Sequence, residues 1–358
     1  MIGSLGEDIA HGLQRNVRRA QTAIGIGRQL AQASPTIARS FFSTAPVVGI
    51  SPLFDTRHYI FLLFALAETG PLALSFRDVA LAKALLPAEL FEKSIRISQS
   101  NYVTLGKGSR GRKTVEVDER YFQSTVHNSS YKMPYFAHPI FYTQRLYKQL
   151  SLLREGERRV RIFFAGTINS EVYTRSFQFP IMSRAEIFST IFARFSSQIG
   201  SLTDLTKQII ISQTDEGADN LVKHPLSPDQ YLAAIASADF FICPPGWVMP
   251  HSHNLVEAMS VGAIPITNYS DYIVPALADN VNSLQFHDAE SLCEAIDVAL
   301  RMPVRRVREM REQAQLYYDE VLSHLAVGTK IRESLLTLDK IIANSERLFD
   351  LFPKPSTV

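Results

Sequence analysis

The sequence predicts an α/β protein made of two Rossmann-like domains with parallel sheets. The chain has 358 residues, more than twice a typical domain length, so two domains are expected. From residue 46 onward, short aliphatic runs alternate with helical stretches, which is the pattern of βαβ units around a parallel sheet. An aromatic, proline-containing segment over residues 131–142 interrupts this alternation, so we expect it to connect the two halves.

These observations divide the chain into four parts. Residues 1–45 form an N-terminal amphipathic helical segment, residues 46–150 the first Rossmann-like domain, and residues 151–325 the second. Residues 326–358 are expected to form C-terminal helices, which could cross back to the first domain.

The N-terminal segment is amphipathic and basic. Arginines lie between apolar residues that recur at helical spacing, namely Ile2, Leu5, Ile9, Leu13 and Val17. Three interpretations stay open: a helix packed on its own domain, a helix lying on anionic lipid through residues 1–30, or a presequence. The most apolar window, residues 59–76, is broken by Glu68, Gly70 and Pro71 and is too short to span a bilayer. We expect a cytoplasmic location, with the option of peripheral contact at the inner face of the membrane.

Composition narrows the class of protein. With 46% hydrophobic and 20% charged residues, the chain is typical of soluble globular proteins and unlike disordered ones. A net charge of +2 is too small for broad attraction to nucleic acid, so no nucleic-acid partner is expected. Cys243 and Cys293 match neither a disulfide scaffold nor a zinc-ligand spacing, which fits a reducing compartment.

The first domain contains short strands around a long apolar helix. Strands are predicted over residues 46–50 and 72–76, with weaker candidates at 94–98 and 114–117. The helix is predicted over residues 57–68, and Asp55 or Thr56 could cap it. The basic loop over residues 107–113 is interpreted as a solvated loop.

The second domain shows the clearest alternation. Strands are predicted over residues 161–166, 209–211, 240–243, 263–266 and 283–286. Helices are predicted between and after them, over residues 183–199, 227–238, 254–260 and 289–301.

Residues 240–266 are the most informative segment of the chain. A strand runs into a proline-rich loop containing Gly246, and a helix then opens near Ser252 and carries Glu257 one turn inside. A helix N-terminus at the carboxyl end of a parallel sheet suits a diphosphate, and a carboxylate one turn further on suits ribose hydroxyls. The alternative is that Ser252 is only an N-cap and Glu257 an ordinary first-turn acid.

The same segment resembles the GT-B glycosyltransferases, and most closely their exostosin-like group. The matching residues are Cys243-Pro244-Pro245-Gly246, Ser252, Glu257-Ala258, Gly262 and Ile264-Pro265-Ile266. The strand that ends at Gly166, with Arg175 downstream, and the Pro-Tyr-x-x-His-Pro stretch over residues 134–139 are also similar to the family pattern. The resemblance covers residues 133–286 and implies a GT-B fold, in which the parallel sheets of the two domains face a central cleft.

The resemblance implies a binding site for a nucleotide-sugar donor. Its candidate residues are Gly166, Arg175, Lys223, Gly246, His251, Ser252, His253, Asn254 and Glu257. Asn254 stands where the family has an arginine, so the positive charge for the phosphates must come from elsewhere. Arg175, Lys223, His251 and His253 are the available substitutes. No cofactor besides the donor is implied and no metal is expected, because Glu116-Val117-Asp118 is only a weak match to an Asp-x-Asp motif.

The implied activity is transfer of a sugar to a glycan or lipid-linked glycan acceptor, as in polysaccharide biosynthesis. An inverting reaction needs a base near the acceptor, and Asp55 and His58 follow the first strand where such a group would face the cleft. Asp55 could equally be a plain N-cap, and His127 and His138 are weaker candidates. Retaining enzymes with paired glutamates eight positions apart are disfavoured, because Met249 occupies the first of those positions.

Two other functions stay open. A nucleotide-sugar epimerase also uses two Rossmann-like domains, and a non-catalytic module could bind a nucleotide sugar without transferring it. Appearance of an epimerised free sugar nucleotide would identify the first, and binding without turnover the second.

Overall fold

The structure is a computed structural model. It describes residues 47–49, 56–70, 72–74, 82–95, 103–106, 113–122, 128–168, 179–213, 226–246 and 249–344. The predicted N-terminal helix over residues 1–45 lies outside the described residues, as does most of the basic loop. Within the described ranges, no helix combines the length and apolarity needed to cross a bilayer.

The first unit is built on a six-stranded sheet in the order β2-β3-β1-β4-β12-β5, with all described pairs parallel. Its strands are Val47–Gly49 (β1), Leu72–Leu74 (β2), Val103–Gly106 (β3), Thr114–Asp118 (β4), Ser130–Lys132 (β5) and Lys340–Ile342 (β12). β1 is a central strand, so its carboxyl end lies near the middle of the carboxyl edge of the sheet.

The second unit is built on another six-stranded sheet, in the order β11-β10-β9-β6-β8-β7, again with parallel pairs. Its strands are Val160–Gly166 (β6), Ile199–Gly200 (β7), Ile209–Gln213 (β8), Ala238–Ile242 (β9), Ile264–Thr267 (β10) and Leu284–Gln285 (β11). β8 and β10 are buried along their whole length, as expected of strands covered by helices on both faces. The predicted α/β class, with two Rossmann-like parallel sheets, is confirmed.

Helices cover both sheets. In chain order they are Thr56–Thr69 (α1), Ala88–Ile95 (α2), Pro139–Thr143 (α3), Leu150–Glu155 (α4), Arg184–Phe195 (α5), Pro228–Ala236 (α6), His253–Ser260 (α7), Ala289–Arg301 (α8), Val304–Tyr317 (α9) and His324–Ser334 (α10). Local sequence explains several starts: Ser183 and Glu186 form a capping box on α5, and Asp288 caps α8 through the Ser291 N–H.

Three predictions for the first unit were wrong or incomplete. Residues 94–98 were predicted as a strand, but Ser94 and Ile95 end α2, whose Leu90 packs into the core. β3 and β5 were not predicted as strands, because they are short and polar residues interrupt their apolar residues, unlike the apolar run of β2. Periodicity over so few residues does not separate a strand from a loop.

The C-terminal part of the chain returns to the first sheet. Helix α10 begins at His324, so the predicted boundary between residues 325 and 326 falls inside a helix, and the boundary at residue 150 falls at the start of α4. After α10 the chain forms strand β12, not a helix, between β4 and β5. Ile341 and Ile342 of this strand are buried, which explains why it joins a sheet.

Helices α1 and α10 pack against each other at very short range. A Cβ added to Gly328 would lie 2.0 Å from the Ala65 carbonyl oxygen, so only glycine permits this approach. Next to this contact, Arg332 donates from Nε to Thr69 Oγ1 at 3.0 Å and from Nη2 to the Leu66 carbonyl at 2.6 Å. The arginine therefore satisfies the last turn of α1, where carbonyls lack helical partners.

We expect the Gly328→Ala substitution to lower the free energy of unfolding by about 1–3 kcal/mol or more, because the clash is with backbone and cannot be relieved by a side-chain rotation. Urea unfolding followed by circular dichroism measures it. Glu333→Ala, at an exposed position of the same helix, is the control and should change stability little. A Gly328→Ala protein as stable as the control would contradict the close approach.

Candidate functional site

A cavity of about 490 Å³ opens at the carboxyl ends of β6 and β9. On one side it is lined by loops and helix starts of the second unit, and on the other by α3 and by residues 133–138, which we call the connector. Its polar lining includes Thr167, Arg184, Tyr231, Ser252, Asn254 and Glu257. Its apolar lining includes Ile140, Phe141, Leu146, Leu226 and Leu232.

Most of the predicted donor-binding residues line this cavity: Gly166, Gly246, His251, Ser252, His253, Asn254 and Glu257. Arg175, Lys223 and the predicted base Asp55 lie outside the described residues. The local motif at residues 240–266 and the end of β6 thus meet around one space.

Glycines shape the ends of both strands. Gly166 has a φ of +154°, and an added Cβ would lie 3.1 Å from the Phe164 ring. At Gly246 an added Cβ would lie 2.5 Å from the His251 carbonyl oxygen, so only a glycine fits at this position. Both glycines therefore present backbone, and no side chain, to the cavity at these two strand ends.

Arg184, the first residue of α5, joins the two strand-end loops. Its Nε and Nη2 donate to the Pro245 carbonyl at 3.1 and 2.9 Å, and its Nη1 donates to the Thr167 carbonyl at 3.0 Å. The side chain is 5% exposed and lines the cavity, so a fixed positive charge lies in its wall. The sequence analysis missed this residue, although the capping box at Ser183 marks the helix start beside it.

The first turn of α7, where the sequence predicts the diphosphate, lines the cavity. Ser252 occupies the N-cap, but its side chain accepts no hydrogen bond from the first-turn N–H groups. The interpretation of Ser252 as an ordinary N-cap is therefore not supported. Asn254, one residue into the first turn, lines the cavity where the family pattern has an arginine.

Glu257 is a buried carboxyl group, not an ordinary surface acid. It is 6% exposed, and its Oε1 accepts a hydrogen bond from the His138 backbone N–H at 3.0 Å. The Tyr231 hydroxyl also hydrogen-bonds to this carboxyl group. Burial raises the pKa of Glu257 to about 7 against these two hydrogen bonds, which lower it. A carboxylate accepts up to about four hydrogen bonds, so capacity remains for ligand hydroxyls.

His251 was predicted as a source of positive charge for the phosphates, but its ring cannot supply it. Its Nε2 lies 2.8 Å from the Tyr272 carbonyl oxygen, and its Nδ1 contacts the Asn344 side-chain amide. A carbonyl only accepts, so Nε2 carries the proton and Nδ1 accepts from the amide. Burial lowers the pKa of His251 to about 4, which keeps the ring neutral near pH 7. This prediction was wrong.

His253 fastens the connector to α7. Its Nδ1 lies 2.7 Å from the Phe136 carbonyl oxygen, and its ring stacks on Tyr135 with centroids 4.9 Å apart and planes at 19°. Together with the hydrogen bond that the His138 N–H donates to Glu257, this contact makes the cavity a shared feature of the connector and the second unit. None of these contacts across the chain was predicted.

His58 does not face the cavity. Its side chain is 2% exposed and packs edge-on against Phe136, with ring centroids 4.8 Å apart. The connector covers it, so the prediction of His58 as a catalytic base was wrong.

The weak Asp-x-Asp-like match at residues 116–118 has a structural role. Asp118 pairs with Arg120 at 2.8 Å and with Lys340 of β12 at 3.1 Å, and these partners hold the pKa of its carboxyl well below the usual range. In the described part of the chain, no group of three or more His, Cys, Asp or Glu residues is arranged to hold a metal ion.

Comparisons with known proteins give solved structures only. No family model and no curated protein matches the sequence. The glycosyltransferase AviGT4 of avilamycin A biosynthesis is similar with a TM-score of 0.38 at 13% identity, over 82% of this chain and 97% of that one. WaaG, a glycosyltransferase of lipopolysaccharide biosynthesis, is similar with a TM-score of 0.36 at 13% identity, over 75% and 76%. HepE from Anabaena, solved with UDP and glucose, is similar with a TM-score of 0.33 at 14% identity, over 84% of this chain and 74% of that one.

Other similar structures are longer than this chain. The chain spans about half the length of the trehalose-6-phosphate phosphatase N-terminal domain structure from Candida albicans, at 50%, and of the sucrose-phosphate synthase from Thermosynechococcus elongatus, at 52%. At these TM-scores and identities, similarity does not assign an activity to this chain.

Proposed function

We propose that this chain is a GT-B glycosyltransferase, similar to the exostosin-like group, that moves a sugar from a nucleotide-sugar donor to a glycan or lipid-linked glycan. The observation that carries the proposal is the cavity, in which a helix N-terminus, a buried arginine and a buried carboxyl group surround one space at the carboxyl ends of parallel strands. The sequence resemblance over residues 133–286 supports the same activity.

The polar groups of the cavity match the parts of a nucleotide-sugar donor. Backbone N–H groups and the helix dipole at the start of α7 suit the diphosphate, and Arg184 adds a full positive charge nearby. Glu257 can accept hydrogen bonds from the ribose hydroxyls through the lone pairs that His138 and Tyr231 do not use.

In the proposed reaction the acceptor hydroxyl oxygen attacks the anomeric carbon as the bond from that carbon to the diphosphate oxygen breaks. The leaving diphosphate takes the electron pair, and the positive groups of the cavity stabilise its growing charge. We propose Asp55 as the base that takes the acceptor proton, with inversion at the anomeric carbon. Met249, where a paired-glutamate retaining enzyme carries its first acid, is 1% exposed and buried in the core.

We also propose a setting for this reaction. The protein acts in the cytoplasm on a cell-surface polysaccharide precursor, and the basic segment over residues 1–30 provides peripheral contact with the inner face of the membrane.

A panel of nucleotide sugars tests the proposed function. We expect one donor to raise the melting temperature, because a ligand that binds only the folded state stabilises it, and to be consumed when a matching glycan is added. An epimerised free sugar nucleotide would instead indicate an epimerase. Binding without turnover in any acceptor mixture would indicate a non-catalytic module, and absence of binding would contradict all three.

We expect transfer to continue in excess EDTA. Arg184 and the first turn of α7 supply the positive groups that a metal ion supplies in enzymes with a carboxylate-held cation. Initial rates with EDTA and with added Mg²⁺ or Mn²⁺ measure the effect. Complete loss of transfer in EDTA, restored by either cation, would contradict the assignment.

A further inference from the structure

His138 lies where the connector meets the second unit. Its backbone N–H donates to Glu257 Oε1 at 3.0 Å, and its ring lines the cavity. The ring centroid is 5.4 Å from that of His253, the first residue of α7, in an edge-on arrangement. The imidazole therefore lies in the cavity lining, next to the first residue of the helix start proposed for the diphosphate.

The hydrogen bonds of the ring fix its tautomer. His138 is the N-cap of α3, and its Nδ1 lies 3.3 Å from the Ile140 backbone N–H. A backbone N–H can only donate, so Nδ1 accepts and carries no proton. In a neutral imidazole the proton must then lie on Nε2.

The ring stays neutral at physiological pH. Partial desolvation of the ring and the nearby Arg57 guanidinium lower the pKa of His138. The titratable groups of the described chain that lie near it include Arg57, His253 and Glu257. Among the residues that the structure describes, none hydrogen-bonds to Nε2, which leaves this N–H available to a ligand. A nitrogen that already carries a proton cannot take one from an acceptor, so His138 is not the base.

We propose that His138 donates a hydrogen bond from Nε2 to a diphosphate oxygen of the bound nucleotide. This inference rests on the proposed function. It explains how the connector contributes to donor binding in a chain that has Asn254 where the family pattern has an arginine. A neutral donor from the connector then faces the α7 helix start across the diphosphate.

Two amide substitutions separate the two nitrogens of the ring. In His138→Asn the amide oxygen can replace Nδ1 as the N-cap acceptor, since Asn is a preferred N-cap, but nothing replaces Nε2. In His138→Gln the longer side chain can bring its amide N–H toward the Nε2 position, while the cap is lost. Titration calorimetry of the full chain with UDP and GDP, followed by thermal unfolding, reads out both roles.

We expect His138→Asn to keep the melting temperature and to bind the preferred nucleoside diphosphate roughly 10- to 100-fold more weakly, as for loss of a hydrogen bond to a charged group. His138→Gln should show the opposite pattern, with a lower melting temperature and better-preserved affinity. The matching nucleoside, uridine or guanosine, should bind wild type and His138→Asn equally, because it lacks the diphosphate.

Two outcomes would overturn the inference. One is unchanged diphosphate affinity in a folded His138→Asn protein, and the other is an equal loss for the diphosphate and the nucleoside. If wild-type protein binds neither UDP nor GDP nor any donor of the nucleotide-sugar panel, the proposed function itself fails. The two failures are therefore distinguishable.

Discussion

The Asp55→Asn protein is expected to transfer sugar with a kcat lowered by roughly 100- to 10,000-fold and with little change in donor affinity. Asp55 directly precedes α1, which follows the central strand β1, and Arg57 in the first turn of α1 lies close enough to His138 to lower its pKa. The start of α1 therefore lies near the cavity wall. Steady-state kinetics at saturating donor measure the loss.

The choice of asparagine separates catalysis from capping. Asn and Asp are comparable N-caps, so an Asp55 that only caps α1 would leave both kcat and stability unchanged in Asp55→Asn and would lose stability in Asp55→Ala. The anomeric proton coupling of the product, read by NMR, gives the stereochemistry. A product with the donor's own configuration would contradict the inverting mechanism, and a normal kcat in Asp55→Asn would remove Asp55 as the base.

The Glu257→Gln protein is expected to bind its nucleoside diphosphate about 10- to 100-fold more weakly at pH 8, because a charge-assisted hydrogen bond to the ribose becomes a neutral one. The pKa of Glu257 is about 7, so in wild type the ionised fraction, and with it the affinity, should rise from pH 6 to pH 8. In Glu257→Gln this increment should disappear. Calorimetric titration across that pH range compares the two proteins with the same nucleotide.

The free energy of unfolding provides the control for Glu257. As the pH rises, wild-type stability is expected to fall, whereas nucleotide affinity is expected to rise. The folded-state pKa is raised from 4.5 to about 7, so the folded protein binds the proton more tightly and wild-type stability falls as pH rises through that window. Glu257→Gln should therefore gain stability relative to wild type at pH 8 while it loses affinity. Equal nucleotide affinity at every pH would exclude Glu257 from the site.

Five of the six strands of the second sheet could be predicted from sequence, because most of them are continuously apolar. The two-residue edge strand β7 was missed, and its Ile199 was wrongly predicted as the end of a helix. Phe240, Phe241 and Ile242 are fully buried, and parallel strands covered on both faces read as uninterrupted apolar runs. In the first sheet β3, β5 and β12 are short, and β12 finds its partners far away along the chain. Local patterns carry no information about such pairings.

The site was predictable from the local motif over residues 240–266 and from Gly166 at the end of β6, and no further within the described chain. Gly246 and Glu257 belong to a single strand, loop and helix, so their spacing indicated a common role. Arg184 and Tyr231 come from other helices, and their contacts with this motif exist only in the folded chain. The error at His58 has the same cause, because its position after a strand does not reveal that Phe136 covers it.

Strand β12 has a consequence for how the protein is made. It separates β4 from β5, so β5 joins the first sheet only through β12, and the Met133 N–H that opens the connector donates to the Ile342 carbonyl at 2.9 Å. On the ribosome the second unit emerges before residues 340–342, so the first sheet stays open until translation has passed them. A nascent chain that stalls or terminates early is thus left with an unpaired edge at β4, which is a template for aggregation.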